Sequence, residues 1–252
     1  MRMNQQIAKA VVLVALGLAF AAGAAYAQGA PPPTGPCLAQ DNGTGTVTLP
    51  PNGCEYLSPD QVHMIIDGLP PGTTIILKPL HRDFICGQGG GVAGKCITQG
   101  GPLGGEVENF NSSATFQLSV SGGTGTPLDG WTRTVTLPLA VETATAPRQA
   151  GAQVQTFNTD MQRIQGSITN DPDFALFEVV GGSANGYPSP GSTTLTKQTN
   201  GLFKVDSSFK VGYRIRFIGT TTGRLAGASG TTEGSVVMTA VKPCPAGGCP
   251  CP

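Results

Sequence analysis

Charge is the scarcest ingredient of this sequence. Asp, Glu, Lys and Arg make up 12% of its 252 residues, about half the usual share. Histidine occurs twice, at His63 and His81. Beyond the first 27 residues no stretch is apolar for the roughly 20 residues that a membrane-spanning helix takes. No long segment there repeats its apolar side chains with the 3.6-residue helical period. These absences argue against a helical architecture, a stable membrane span and an electrostatic partner such as nucleic acid. The low charge also separates the chain from disordered sequences, which combine low hydrophobicity with high charge.

What is abundant is glycine, with 37 residues, and proline, with 21. Thr and Ser fill the intervals. This is the composition of strands joined by many turns.

The first thirty residues read "MRMNQQIAKAVVLVALGLAFAAGAAYAQGA". Arg2 and Lys9 form a positive start, Ala10 to Phe20 is apolar, and Ala25–Tyr26–Ala27 is a small-x-small cleavage site. Residues 1–27 are therefore expected to be a cleaved secretory signal peptide. No Cys follows the apolar core, so no lipid anchor is expected. Without Arg2 and Lys9 the chain carries 13 basic residues against 15 acidic ones.

Residues 28–53 are read as a Pro/Gly leader and first strand, "TVTL" at Thr46 to Leu49. Alternating apolar and polar residues then mark half-buried strands. "TTIILK" at Thr73 to Lys78 ends before Pro79. "ATFQLSVS" puts Phe116, Leu118 and Val120 on one face, and "RTVTL" does the same for Val135 and Leu137. "VGYRIRFIG" turns Tyr213, Ile215 and Phe217 inward, with Arg214 and Arg216 outward. "SVVMTAV" closes the set. "SPDQVHMI", from Ser58, reads as an extended segment or one short helix.

Two regions resemble each other at an offset of about 97 residues. Phe116, Leu118, Val120, Gly122, Leu128 and Gly130 fall on Tyr213, Ile215, Phe217, Gly219, Leu225 and Gly227. Upstream, "IIDGLPPGTTIIL" falls near "RIQGSITNDPDFALF". The expectation is an all-β, antiparallel β-sandwich of two related tandem modules, residues 54–141 and 150–241, joined at "TATAPRQAGA". A Cys/Pro-rich tail, residues 242–252, follows.

"DGLPPGTTIILKPLHRDFIC", "YPSPGSTTL", "VDSSFKVGYRIRFIG" and "GRLAGASGTTEGSV" together resemble a β-rich module of secreted bacterial proteins with no assigned activity. The resemblance covers most of the chain after the leader. It implies export and a β fold, and supplies no catalytic residues.

Seven Cys in an exported chain permit disulfides. Cys37–Cys54 and Cys86–Cys96 are the expected bridges, although spacing alone does not settle connectivity. Cys244, Cys249 and Cys251 remain in the tail. With an odd total, an intermolecular disulfide and a covalent dimer through the tail are the plain expectation, and thiolate binding of Cu(I) or Zn is the alternative.

Candidate chemistry is thin. On strands, His63 shares a face with Ile65 and Asp67, and His81 with Asp83; a His/Asp metal site is conceivable against ordinary polar positions. Ser189 and Ser229 lack the strand–turn–helix setting of a nucleophilic serine. Glu106, Glu108, Asp129 and Glu233 show no spacing that favours a glycosidase pair. Asn170, Asp171 and Asp173 are of the ligand type Ca²⁺ prefers, but read as an Asp-Pro turn. No catalytic residue and no cofactor is expected. The reading is an exported, secreted or periplasmic, non-catalytic protein for binding or extracellular assembly, with an unknown surface partner. The alternative is a periplasmic metal- or redox-handling protein using the Cys tail with His63 or His81.

Overall fold

The alternating stretches pair in chain order, each with the next, until the last returns to the first. The computed structural model describes residues 34–51, 53–58, 63–65, 67–86 and 96–243, with His63, Cys86 and Pro243 described by their backbone alone. The expected signal peptide, the start of the leader and Cys244, Cys249 and Cys251 of the tail lie outside them.

Thirteen strands are present among the described residues: β1 (Thr34–Gly35), β2 (Leu38–Ala39), β3 (Glu55–Leu57), β4 (His63–Ile65), β5 (Thr74–Cys86), β6 (Ile97–Gln99), β7 (Glu106–Ser121), β8 (Thr132–Thr145), β9 (Val154–Ile168), β10 (Phe174–Gly181), β11 (Pro190–Lys197), β12 (Phe203–Gly219) and β13 (Ser229–Pro243). Three pairs of them share one position in the wall. β3 and β4 both pair with β5, at Leu80–His81 and at Ile75–Leu77. β5 and β6 line the same side of β7. β10 and β11 lie end to end between β9 and β12. The two-residue β1 and β2 pair only with the last residues of β13 and the first of β12 and add no position. The wall therefore has eight positions, all antiparallel. β13 pairs with β12 on one side and with β3 on the other, which closes it.

The expected all-β, antiparallel class is observed, and the expected sandwich is corrected to a closed up-and-down barrel. The alternation that predicts a half-buried strand is the same for both architectures. The strands are also longer than expected, 13 to 17 residues for β5, β7, β8, β9, β12 and β13. Long strands paired at both ends of the series leave no open edge. The two expected modules share one sheet, joined between β8 and β9 and again between β13 and β3. Strand β5 runs through Pro79, which falls between the β4 and β3 pairings; Pro138 of β8 sits just before the stretch paired with β9.

Most inward positions are apolar. Leu77, Phe116, Leu137, Phe177, Ile215 and Phe217 belong to one continuous core. Outward positions on β7, β8 and β9 carry Ser113, Thr115, Thr134, Thr136, Thr156 and Asn158, none of them buried.

One end of the barrel is stopped by two turns 97 residues apart. In the first, the amides of Asp129 and Trp131 bond the carbonyls of Thr126 and Leu128; in the second, those of Ala226 and Ala228 bond Gly223 and Leu225. Gly130 and Gly227 both take positive φ, 64° and 76°, where a side chain would be strained. Leu128 and Leu225 are both buried in the core. The side chain of Arg224 bonds the Pro127 carbonyl across the gap between the turns, at 3.2 Å.

Candidate functional site

The opposite end is shut by residues 36–51 and 53, which form a strap over the barrel mouth. Its backbone is set by local chemistry. Asp41 accepts the amides of Gly43 and Gly45, each at 2.9 Å, and both glycines have positive φ. That folds the loop back so that the amide of Asn42 reaches the Thr46 carbonyl. The Gly45 carbonyl is held by the amide of Gly151 and by Gln155 Nε2. A disulfide joins Cys37 to Cys54 and ties the start of the strap to its end. The expected strand at Thr46 to Leu49 is not formed: these residues belong to the strap, and Val47 and Leu49 bury their side chains without a strand partner.

The strap is fastened to the wall by one buried cluster. Glu108 of β7 is fully buried. Its Oε2 accepts the Leu49 amide at 2.9 Å, and its Oε1 accepts Arg148 Nη2 at 2.6 Å. Arg148 also donates from Nη1 to the Val47 carbonyl and lies 3.1 Å from Glu106 Oε2. Its guanidinium stands 5.0 Å over the Phe157 ring. Burial pushes the Glu108 carboxyl up to about 8, against the opposing pull of Arg148 and the Leu49 amide.

Below Glu108 lies a ring of buried polar groups. His81 bonds Ser112 Oγ at 2.5 Å and packs edge-on against Phe84. Burial holds its imidazole down at about 3, so the ring is neutral. Tyr56 and Thr193 both donate to Ser207 Oγ, at 2.9 and 2.8 Å. Burial raises the Tyr56 phenol far above its ordinary range. Two voids flank His81. One, of about 10 Å³, is lined by Leu49, Pro50, Tyr56, His81, Thr143 and Thr159 among others; the other, of about 40 Å³, lies deeper, against Phe116, Val179, Tyr213 and Met238.

The residues expected to carry chemistry are not brought together. His81 and Asp83 do not share a face, because a bulge between Arg82 and Ile85 breaks the alternation; Asp83 has φ 57° and lies outside, 3.4 Å from Arg82. His63 is in β4, and its side chain lies outside the described residues. Ser189 is fully buried, donating to the Tyr187 carbonyl and accepting the Gly212 amide. Ser229 is exposed at the start of β13. Glu106 and Glu108 converge on one arginine, Glu233 accepts the Tyr187 hydroxyl, and Asp129 lies in a turn. Asp171 and Asp173 grip Arg133, while Asp171 Oδ1 accepts the amides of Asp173 and Phe174. That is the turn reading, with Asn170 at φ 60°. Among the described residues no three His, Cys, Asp or Glu side chains gather as a metal site. Cys96 is disulfide-bonded; the side chain of Cys86, its expected partner, lies outside the described residues.

The Glu108–Arg148 cluster was missed by sequence reasoning, yet Glu108 carries a signal. Counting back by twos from Phe116 along β7 reaches Glu108, which places a carboxylate on the inward face. Arg148 carries none, because it sits in the connector between β8 and β9.

No family model matches this chain, and no curated protein and no solved structure is significantly similar to it.

Two buried groups give opposite pH slopes. An unfolded glutamate titrates near 4.5, whereas Glu108 keeps its proton up to about 8. In that window the folded protein binds more protons, so stability falls as pH rises. Unfolded histidine takes a proton near 6.5, whereas buried His81 refuses it down to about 3. There the unfolded chain binds more protons, so stability falls as pH falls. Each slope is about 1.4 kcal/mol per pH unit, and they cancel where the windows overlap. Urea midpoints should therefore show a plateau between the two ordinary pKa values and decline on either side. Glu108→Gln should flatten the alkaline limb and His81→Gln the acid limb. An alkaline limb that persists in Glu108→Gln would assign it to other groups.

Proposed function

We propose that this chain is an exported, non-catalytic β-barrel that serves in binding or extracellular assembly, secreted or periplasmic, with residues 1–27 as its cleaved signal peptide. The observation that carries the reading is the strap. A barrel shut at its mouth by a disulfide-tied segment suits an oxidising compartment. Its interior charged and histidine side chains, Glu108, Arg148 and His81, are engaged in holding the structure. Further support comes from the wall, whose outward faces are mostly polar and inward faces mostly apolar, the reverse of a lipid-facing barrel. Among the described residues no helix is long and apolar enough to cross a membrane.

We also propose that the barrel arose by duplication of a four-position unit. The matched turns join positions three and four, and seven and eight, of the wall. The upstream pair of similar segments joins positions one and two, and five and six. The tail cysteines, in this reading, link chains covalently.

The test is expression of the full chain with its own leader in a secreting bacterial host. The product should leave the cytoplasm with Gln28 as its first residue, oxidised at Cys37 and Cys54. It should show no turnover of ester, glycoside or peptide substrates, and a dimer on a non-reducing gel that is lost on deleting residues after Lys242. Retention of residues 1–27 in a cytoplasmic, reduced product would overturn export. Turnover abolished by Ser189→Ala would overturn the non-catalytic reading. Stoichiometric copper or zinc in the untagged protein would favour the metal-handling alternative.

A further inference from the structure

We propose that the barrel mouth beneath the strap is a binding site for a small neutral molecule with a short apolar chain and one hydroxyl or carbonyl group, and that Leu49 fills the place of that chain when the strap is closed. The proposal rests on the binding half of the function above and names its ligand class.

Leu49 belongs to the strap and not to the wall, yet its side chain is buried and lines the upper void with Pro50. Most of the surface it meets is apolar: Val141, Met161, Phe84 and Phe209. Two groups are not. Thr143 and Thr159 line the same void, both residues are 3% exposed, and neither hydroxyl has a hydrogen-bond partner among the described residues. Leaving a buried hydroxyl unmatched costs about 1–3 kcal/mol. Valine has the same shape without that cost, so packing alone does not account for either threonine. Two hydroxyls able to donate and accept are suited to one hydroxyl or carbonyl oxygen brought in on a ligand.

The lining also sets what is refused. Glu108 and Arg148 are committed to each other and to the strap backbone, so no free charge faces the void. A carboxylate or ammonium buried there would be unpaired, at a cost that excludes it. The space released when Leu49 withdraws is that of one branched four-carbon side chain, which limits the ligand to a short chain. Withdrawal does not require the strap to leave. Its two ends stay joined through Cys37–Cys54, and Gly43 and Gly53 between them, both at positive φ with open space around the Cα, are positions where glycine permits a change of backbone conformation.

The probes are 1-pentanol and n-pentane, which differ by the hydroxyl alone. They are titrated calorimetrically, in a sealed cell, into the full chain, Leu49→Ala, and Leu49→Ala with Thr143→Val and Thr159→Val. Leu49→Ala should bind 1-pentanol at least tenfold more tightly than the wild type does. It should also prefer 1-pentanol to n-pentane, and the two valines should cut that preference at least tenfold. Equal binding of the two probes by Leu49→Ala, or a preference untouched by the valines, would overturn the site and leave only a cavity. Should Leu49→Ala fail to fold, the wild-type crystal soaked in 1-pentanol decides. An ordered alcohol within hydrogen-bond reach of Thr143 or Thr159, with Leu49 displaced, supports the site. A bridging water with Leu49 in place contradicts it. None of these readings depends on export or on turnover, so failure here is separable from failure of the proposed function.

Discussion

Glu108→Ala should be the most damaging single substitution outside the apolar core, costing about 3–5 kcal/mol and lowering the melting temperature by on the order of 10 °C in a chain of this size. Three losses coincide. The Leu49 amide loses its acceptor, Arg148 loses its buried carboxyl partner, and the strap loses its fastening to β7. The arginine is the costly one, since its side chain is only 5% exposed. Glu106, more exposed, remains 3.1 Å away and offsets part of the loss. Glu108→Gln keeps an oxygen for either the Leu49 amide or Arg148 and should cost well under half as much. Equal melting temperatures for Glu108→Ala and the wild type would mean that the strap is not fastened there.

Replacing Cys37 and Cys54 together by Ala should cost about 3 kcal/mol, the chain-entropy value for a loop of this length, here 17 residues. The effect should not add fully to that of Glu108→Ala. Both changes release the same segment, and energies of changes that share a structural unit are coupled. A strap already freed from Glu108 has less left to lose. The triple variant should therefore be more stable than the sum of the separate losses implies. Full additivity, measured by urea denaturation of all the variants, would show that the disulfide and the carboxyl stabilise independent parts of the protein.

Much of the wall was legible in the sequence. The inward Phe116, Leu118 and Val120 and the outward Arg214 and Arg216 follow from period-two alternation. The likeness of the turns at Leu128 and Leu225 follows from glycines that must adopt positive φ. Closure was not legible, because it depends on β3 and β13, which pair over only three residues and lie far apart in the chain. Pro79 reads as a strand end, whereas a gap between the β4 and β3 pairings lets β5 pass through it. The bulge at Asp83 is invisible to an alternation rule that assumes unbroken pleating, so His81 and Asp83 were placed on one face. "TVTL" reads as a strand because β-branched residues favour one. Besides the Asn42 amide at Thr46, its backbone partners are a carboxyl and a guanidinium from distant positions, and local propensity carries no information about those. The candidate mouth was hidden for the same reason. Leu49, Thr143 and Thr159 come from three separate segments, and each is unremarkable alone.

The strap's closure is read most directly by native-state hydrogen exchange at the amide of Leu49. That amide bonds a fully buried carboxyl oxygen under a segment with few backbone partners of its own. Closed as described, it should exchange far more slowly than the neighbouring amides of Gly43 and Thr44, and in Glu108→Ala its protection should collapse while that of Phe116 in β7 stays within the limit set by global stability. Exchange at Leu49 in the wild type as fast as at Thr44 would contradict it, showing a mouth that stands open in solution.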